Sequence, residues 1–365
     1  MPSRDRQFFV STQAGNTPGR TVVGCLRWSR LPNGPVGSKE FLMEPHVFEQ
    51  PLVTICIPTY NRPEMLRHSL QSVLQQSYKH LEVIVSDNAS DTDTAAVVDS
   101  FNDDRVRVDR LATNIGLHGN MSRCLHLGTG KYRAILHDDD LMLPGNVQRK
   151  VAFFEAHPEV GLVYSAYRHI NSDSLPYGPV NTWASGEKDI VQPGNVYIRE
   201  AIARGGITCP ASVMLRSELV VNESFVVEDG PYCDLALWLR LAQRADVGFL
   251  TAPLSGYREH ASSASYGFQT LEQVRGRFIN TLGHADALKL ALGRFMETAD
   301  LDPELRAECA WLQRASDRRM RVAILANRYL PRPMFKLAKR SVHWAEQSRI
   351  CNAISPLRRL RTRTG

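Results

Sequence analysis

The chain has 365 residues, of which 43% are hydrophobic, and its formal net charge is +6. This length suits one large domain with appendages or two domains, and the hydrophobic content is enough to bury a sizeable core. The seven cysteines are odd in number and form no C-x-x-C pair, which argues against a disulfide framework or a zinc ribbon and favours a reduced, cytoplasmic setting.

Residues 1–50 show little patterning, and we treat them as an N-terminal extension without an assigned function. The N-terminal sequence lacks the apolar stretch of a signal peptide, and no apolar run reaches 18 residues, so a membrane-spanning helix is not expected.

Strand and helix patterns alternate from residue 51 onward. Short β-branched apolar runs predict buried strands, and apolar residues three to four positions apart predict helices. The predicted elements are, in order, strand LVTICIP (52–58), helix 63–76 capped by Asn61, strand LEVIVSD (81–87), helix 91–101, strand 105–111, helix 118–127, strand 131–138, helix 144–158 starting with Pro144, and strand 160–167. This alternation predicts an α/β fold with a mostly parallel sheet flanked by helices.

Polar residues follow four of the predicted strands directly. The four clusters are Thr59-Tyr60-Asn61-Arg62, Ser86 to Asp91, Ala112 to Gly116, and His137-Asp138-Asp139-Asp140. Because ligands bind beyond the carboxyl ends of parallel strands, four clusters on one edge of the sheet predict a binding site there.

The three consecutive carboxylates at 138–140 need a positive partner, because like charges repel. A hard divalent cation such as Mg²⁺ uses one or two protein carboxylates and completes its shell with substrate phosphates, which fits this sparse acidic set. Asp139 stands at a strand end with no basic neighbour in the adjacent sequence, which favours a metal role. For Asp140, capping of the helix at Pro144 is an equally good explanation.

Other phosphate-binding motifs do not fit this sequence. The GTGK at 128–131 lacks the first glycine and the Ser or Thr of a P-loop, and no G-x-G-x-x-G follows the first strand. A G-x-S-x-G nucleophile elbow is also absent. Asp87 can accept a hydrogen bond from a base, although Asp-Asn-Ala-Ser is also good turn chemistry.

Three stretches together resemble glycosyltransferase family 2: LVTICIPTYNRPEMLRHSLQSVLQQSYKHLEVIVSDNASDT, TNIGLHGN and GKYRAILHDDDLMLP. The resemblance covers about residues 51–262 and implies a GT-A fold, which is Rossmann-like, followed by a basic helical region over 263–365. It also implies an inverting transfer from a nucleoside-diphosphate sugar, usually a UDP-sugar, to an acceptor hydroxyl in bacterial-type surface polysaccharide or glycolipid synthesis.

The same resemblance implies roles for single residues. Asp139 and His260 are the expected ligands of Mn²⁺ or Mg²⁺, Arg258 approaches the diphosphate, and Asp87 receives the imide N–H of the base. The residues implied in nucleotide binding are Pro58, Thr59, Tyr60, Asn61, Asp87, Asn114, Gly116 and Asp138. The family's commonest motif has an acid where His137 stands.

YCDLALWLRLAQRA resembles the family helix that carries the general base, and Asp234 aligns with that carboxylate. Cys233 replaces the usual Glu, so Glu228 or Asp229 remain alternatives for the base. A capping aspartate at the start of this helix is also compatible with the pattern of Asp234.

The C-terminal sequence from Gly267 reads as helices and carries 19 Lys and Arg against 9 Asp and Glu. Polybasic segments bind anionic lipid, so docking on the inner face of the plasma membrane, where lipid-linked glycan acceptors reside, is one explanation. A solvated basic face is the other. Nothing in the sequence supports nucleic-acid binding.

Two functions from different classes remain open at this point. One is a metal-dependent glycosyltransferase, and the other is a catalytically decayed nucleotide-sugar-binding protein of the same fold, for which His137 and Cys233 are the signs. A nucleotidyltransferase is disfavoured because the glycine-rich loop after the first strand is missing.

Overall fold

The structure is a computed structural model that describes residues 20–30, 39–181, 188–204, 208–260, 290–301 and 303–307, with single positions 310 and 314. The strands are β1 (Arg20–Arg30), β2 (Lys39–Glu49), β3 (Val53–Thr59), β4 (Leu81–Asp87), β5 (Val106–Arg110), β6 (Tyr132–Ile135), β7 (Leu141–Met142), β8 (Val160–Ile170), β9 (Pro176–Asn181), β10 (Ile190–Gln192), β11 (Val213–Arg216) and β12 (Asp246–Arg258). The α-helices are α1 (Pro63–Leu74), α2 (Thr94–Asp99), α3 (Gly116–Cys124), α4 (Asn146–Ala156), α5 (Gly194–Arg204) and α6 (Cys233–Ala242).

The central sheet has the strand order β10-β12-β8-β11-β6-β3-β4-β5. Strand β3 is parallel to β4 and β6, β4 is parallel to β5, and β8 is parallel to β12. Strand β11 runs antiparallel to both of its neighbours, β6 and β8. The predicted mostly parallel sheet is therefore confirmed, with antiparallel additions in its second half.

Both faces of the sheet are covered, as the near-continuous apolar runs predict. Along β3, Ile55 and Ile57 join one hydrophobic cluster, with α1 and α4, while Cys56 points into the other, with α3, α5 and α6. This alternation is the two-residue repeat of a strand between two helical layers.

Strands β1 and β2 form a separate antiparallel hairpin within the predicted N-terminal extension. Among the residues that the structure describes, every helix is too short or too polar to cross a bilayer. The predicted C-terminal helices lie mostly outside the described residues, but 290–298 and 303–307 are helical.

Helix α1 starts at Pro63 as predicted, but its predicted cap is wrong, as is the predicted start of α4. Helix α1 has Arg62, not Asn61, at its N-cap position, because Asn61 takes a left-handed backbone conformation (φ 56°) and its side chain bonds elsewhere. Helix α4 begins at Asn146 rather than Pro144, after a left-handed Gly145 that makes no side-chain cap. Asp140 therefore does not cap α4.

Candidate active site

The chain order of the sheet reverses between β3 and β6. The chain builds β3, β4 and β5 in one direction and then returns to place β6 on the other side of β3. A crevice opens outside the carboxyl ends of strands at such a switch point. Thr59 ends β3 and Asp138 follows β6, and the Thr59 hydroxyl donates to Asp138 Oδ2 at 2.7 Å. The first and fourth polar clusters thus meet at this crevice.

The second and third polar clusters are joined by hydrogen bonds to the same edge of the sheet, which forms the rim of the crevice. The backbone N–H of Asn61 donates to Ser90 Oγ at 3.0 Å, and Asn88 Nδ2 donates to Asn114 Oδ1 at 2.9 Å. The backbone N–H of Asn88 also donates to Thr59 O at 3.0 Å. All four clusters that the sequence predicts on one edge of the sheet are brought together there.

Backbone strain marks two positions of this rim. Asn61 and Ala89 have positive φ angles of 56° and 60°. Such conformations in non-glycine residues persist only where the surroundings enforce them, and they concentrate at ligand sites. The Asn61 side chain fixes the neighbouring loop, because its Oδ1 accepts the backbone N–H of Asp91 at 2.7 Å.

The other predicted nucleotide contacts lie on the same rim. Pro58 is the penultimate residue of β3, and Tyr60 follows the strand with 44% of its surface exposed. The carbonyl of Gly116 accepts a hydrogen bond from Asn88 Nδ2 at 3.2 Å. The exposed Tyr60 ring can lie against a ligand without moving any core residue.

Asp138 and Asp139 share one cation, Arg62. Its Nη1 donates to Asp138 Oδ1 at 3.2 Å and to Asp139 Oδ2 at 2.9 Å. The expectation that Asp139 has no basic partner is therefore wrong, because helix α1 begins directly opposite the acidic cluster and presents Arg62 to it. His260 Nε2 is also 3.1 Å from Asp139 Oδ2, so the two predicted metal ligands are in contact.

The three carboxylates differ in proton affinity. Burial and the neighbouring Asp139 charge raise the pKa of Asp138 to about 6, against the opposing effect of Arg62. Burial opposes ionisation of Asp139, but the hydrogen bond from His260 and the charges of His137 and Arg62 outweigh it and lower its pKa. Of the three carboxylates, Asp139 is therefore the one that stays ionised most readily.

Asp140 lies deepest, and Arg258 holds it. Burial, followed by the charge of Asp139, raises the pKa of Asp140 well above its ordinary value. Its Oδ1 accepts the backbone N–H of Arg258 at 2.8 Å. The Arg258 guanidinium donates four hydrogen bonds to oxygens of its own chain, at Asp139, Asn171, Ser172 and Ser174. The predicted contact of Arg258 with a diphosphate stays a prediction, and it requires some of these bonds to exchange.

The acidic cluster fits a divalent cation. His137, Asp139 and Asp140 offer ligand atoms that all lie within 4.8 Å of one another. Within the described part of the chain, the buried Asp140 Oδ2 has no hydrogen-bond partner, so one carboxylate oxygen is left to accept a positive ligand. Carboxylate oxygens with an imidazole suit Mn²⁺, and carboxylate oxygens alone suit Mg²⁺.

Asp87 makes the turn contact that its sequence predicts, and its contact with a base stays a prediction. The residue is fully buried, and its Oδ1 accepts the backbone N–H of Ser90 at 3.0 Å, as a turn-forming aspartate does. Its Oδ2 lies 3.5 Å from Arg110 Nη1 and makes no hydrogen bond within the described residues. Because that second oxygen is buried, a base N–H could reach it only if the surrounding loop moved.

Asp234 stands in the first turn of α6, and Tyr232 occupies the N-cap position. It is therefore not the capping residue. Burial raises its pKa to about 6, against hydrogen bonds from the backbone N–H groups of Leu235 and of Asp234 itself. A carboxylate with this pKa is ionised at neutral pH and is still a stronger base than an ordinary aspartate.

The buried Cys209 thiol is influenced by the charges of both Asp140 and Asp234. Burial raises the pKa of Cys209, and the charges of Asp140 and Asp234 raise it further. Both carboxylates therefore lie close enough to act on one thiol. The place of Asp234 relative to a bound acceptor stays a prediction.

The alternatives to Asp234 have different surroundings. Glu228 is exposed, and Asp229 is buried between Arg240 and Arg294. Burial raises the pKa of the Cys233 thiol to about 12, so this residue stays neutral where the family has a Glu.

The sequence reasoning missed the roles of Arg62 and Arg110. Arg62 pairs with Asp138, which lies 76 positions away in sequence. Arg110 pairs with Asp87, which lies 23 positions away. The sequence does contain one indication of the role of Arg62, because this residue is the only Lys or Arg within the four strand-end clusters.

Comparison with known proteins places this chain in a family. Residues 54–205 match the model of glycosyl transferase family 2. An uncharacterized protein of Mycobacterium tuberculosis is 30% identical over 223 residues, which cover 59% of this chain and 69% of that protein. The Escherichia coli enzyme WfaP, named UDP-Glc:α-D-GlcNAc-diphosphoundecaprenol β-1,3-glucosyltransferase, is 27% identical over 59% of this chain and 80% of its own length.

A solved structure agrees on the fold. The crystal structure of S. aureus TarS 1-349 superposes with a TM-score of 0.50 at 15% identity, covering 80% of this chain and 91% of that one. The fold is the GT-A fold that the sequence resemblance implies. The strand-end motifs, the sheet topology and the matched region agree, and the chain belongs to glycosyltransferase family 2.

Proposed function

We propose that this glycosyltransferase moves a sugar from a UDP-sugar to a hydroxyl of a lipid-linked glycan, with inversion at the anomeric carbon. The observations that support the proposal are Asp234, a carboxylate whose pKa burial raises to about 6, and the group His137, Asp139 and Asp140, which offers ligand atoms for a cation. A direct displacement needs one base on the acceptor side and charge stabilisation on the leaving-group side, and in this proposal Asp234 and the acidic cluster would supply them.

The names of the relatives support this choice of donor and acceptor. WfaP and a second Escherichia coli enzyme, WfgD, are both named as glucosyltransferases that use UDP-Glc and GlcNAc-diphosphoundecaprenol. WfgD is 25% identical to this chain over 217 residues. A Campylobacter jejuni relative is likewise named for a diphosphoundecaprenol acceptor. A lipid-diphosphate glycan in surface polysaccharide synthesis is the acceptor class that these names favour.

In the proposed reaction the chain's own residues divide the work. Asp87 accepts the imide N–H of the base through its second oxygen, and Thr59 and Asp138 lie at the ribose. Asp234 accepts the proton of the acceptor hydroxyl as that oxygen attacks the anomeric carbon, and general base catalysis of this kind contributes about 10²- to 10⁴-fold.

Asp139 and His260 would hold a divalent cation, with His137 and Asp140 within reach. A bound Mn²⁺ or Mg²⁺ ion supplies charge stabilisation for the departing diphosphate. Arg62 occupies Asp138 and Asp139 in this structure, so it must release at least one carboxylate when a cation enters.

We further propose a cytoplasmic enzyme that docks peripherally on the inner face of the plasma membrane through its basic C-terminus. The supporting observation is compositional: 13 basic residues follow Asp317 against a single acidic one, Glu346. These residues lie outside the described part of the structure.

The alternative is a nucleotide-sugar-binding protein that has lost its chemistry. His137 and Cys233, which stand where the family has acids, favour it. Turnover separates the two functions, because a binding protein retains UDP affinity without consuming a donor.

The test is a transfer assay with the full chain, Mn²⁺, a panel of UDP-sugars and a GlcNAc-diphosphate-polyprenol acceptor. We expect one donor to be consumed and NMR to show a glycoside with inverted anomeric configuration. Tight UDP binding without consumption of any donor would favour the decayed binding protein instead.

A further inference from the structure

Asp229 is a buried carboxylate that joins two separate parts of the chain. Its side chain is 4% exposed and lies between two arginines. Arg240 of α6 places Nη1 at 3.4 Å from Asp229 Oδ2, and Arg294 of the C-terminal segment donates from Nε to Oδ1 at 3.0 Å. A buried charge needs such partners, and removing one of them leaves it poorly compensated.

The segment that carries Arg294 is fixed against α6. Residues 290–298 are helical, and Leu292 and Phe295 are buried in the same hydrophobic cluster as Leu237 and Trp238 of α6. The position of Arg294 is therefore set by core packing rather than by the ion pair alone.

The turn between Asp229 and α6 is held by packing of Tyr232 against the hydrophobic cluster, by a backbone hydrogen bond from Asp229 to Val226 O, and by the ion pairs of Asp229. Residues Val227–Tyr232 form a 3₁₀ turn with a kink at Gly230 (φ 63°, ψ −146°). The contact between His118 Nε2 and Gly230 O is 3.2 Å long. No side-chain cap bond holds the start of α6 within the described residues, where Tyr232 is the N-cap residue. The ion pairs of Asp229 are thus a charged anchor of the turn that leads to Asp234, and they join it to both α6 and the C-terminal segment.

We propose that Asp229 is a positioning residue, and that Arg294 and Arg240 hold it so that the turn 227–232 presents Asp234 at a fixed place. The C-terminal segment then takes part in sugar transfer through Arg294. This inference rests on the proposed role of Asp234 as the general base. A displacement of about 1 Å in a catalytic group can cost about 10²-fold in rate, so a loosened turn is expected to lower turnover more than binding.

The test compares Arg294→Ala with Arg306→Ala in the full chain. Arg306 lies on the same segment, but it donates to the backbone carbonyls of Met296 and Ala299 and not to Asp229. We expect Arg294→Ala to lower kcat for transfer at least 10-fold with an unchanged Kd for UDP, and Arg306→Ala to keep kcat within 2-fold. Arg294→Lys, which keeps the charge, is expected to recover part of the loss.

A double variant separates positioning from general destabilisation. If Arg294 acts through Asp234, Arg294→Ala adds no further loss to Asp234→Asn, because the group that it positions is already absent. An equal loss in both backgrounds, a wild-type kcat for Arg294→Ala, or an equal loss for Arg306→Ala would overturn the inference.

The Asp234→Asn single variant distinguishes a failure of the proposed function from a failure of the positioning role. A wild-type rate in this variant would remove the base assignment and the positioning role together. A slow Asp234→Asn variant beside an unaffected Arg294→Ala variant would remove the positioning role and leave the proposed function intact.

Discussion

Three adjacent aspartates acquire three different environments in this site. Asp138 bonds to Thr59 and has a raised pKa, Asp139 is held ionised by His260 and Arg62, and Asp140 is buried against the backbone of Arg258. The sequence pattern identifies the cluster but not this division, because the partners come from distant positions. The residue that remains best ionised is the one that we expect to bind a cation.

Asp139→Asn is expected to abolish Mn²⁺-dependent stabilisation by UDP. The substitution removes the carboxylate charge that His260 and Arg62 share. A thermal-shift assay measures this directly, since a ligand at 100 times its Kd stabilises a protein by about 2.7 kcal/mol. The matched control is Asp99→Asn, which changes an exposed aspartate at the end of α2. An unchanged UDP response in Asp139→Asn would show that the metal assignment is wrong.

The transfer rate is expected to fall as the pH drops through about 6. The pKa of Asp234 is raised to about 6, and the base works only when ionised, so activity is present above this pH and is lost below it. Because the pKa of Asp138 is also about 6, the affinity for UDP must be measured over the same range. A kcat that stays constant down to pH 4.5 would contradict the role of Asp234.

At the level of elements, hydrophobic periodicity was sufficient to predict most strands and helices of the first half of the sheet. Strand β4 has the predicted bounds, and β3, β5, β6, β8 and the helices α1 to α4 fall within a few residues of prediction, because each is a local pattern with its own turn signals. The short strand β7 and the hairpin of β1 and β2 were not predicted. The strands β9 to β12 were not predicted. Strands β9 to β11 are short, and β12 has register shifts at Pro253. The pairing partners of β10, β11 and β12 also lie far away in sequence.

The contact between α5 and α6 gives a prediction at this scale. A Cβ added at Gly194, the first residue of α5, would lie 1.7 Å from the carbonyl oxygen of Ala242 at the end of α6. Gly194→Ala is therefore expected to lower the free energy of unfolding by about 2–3 kcal/mol or more, as overpacking against backbone does. Urea denaturation measures this loss.

Gly293→Ala is the control for this substitution. Gly293 lies within the helical residues 290–298, and a Cβ there meets no atom within 4 Å. This variant is expected to be neutral or more stable by up to about 1 kcal/mol, through helix propensity. Equal urea-denaturation midpoints for Gly194→Ala and Gly293→Ala would contradict the described packing of α5 on α6.

For the whole molecule, the acidic cluster and the nucleotide-side residues lie where the two halves of the sheet meet, and we expect α6 to supply the base through Asp234. The C-terminal segment at 290–307 packs into the hydrophobic cluster that contains α6. The chain after Asp317 is by contrast strongly basic and lies outside the described residues. These two parts of the C-terminal region are expected to have separate roles, one at the active site and one at a membrane surface.

Deletion of the residues after Arg332 is expected to keep donor hydrolysis and to weaken binding to anionic liposomes. The deletion leaves Arg294 in place and removes much of the basic excess, and each charge near anionic lipid contributes about 1 kcal/mol. Co-sedimentation with phosphatidylserine vesicles, with neutral vesicles as the control, gives the comparison. Equal binding by the truncated and full-length chains would remove the membrane role of the tail.

The rate of sugar transfer by Asp234→Asn tests the central claim most directly. Asn preserves the shape of the side chain and removes only its ability to take a proton, while the nucleotide-side residues lie on other elements. We predict that UDP affinity and the unfolding midpoint stay within error of the wild type and that transfer falls by at least about 100-fold, the size of a lost general base. A transfer rate near that of the wild type would contradict the account.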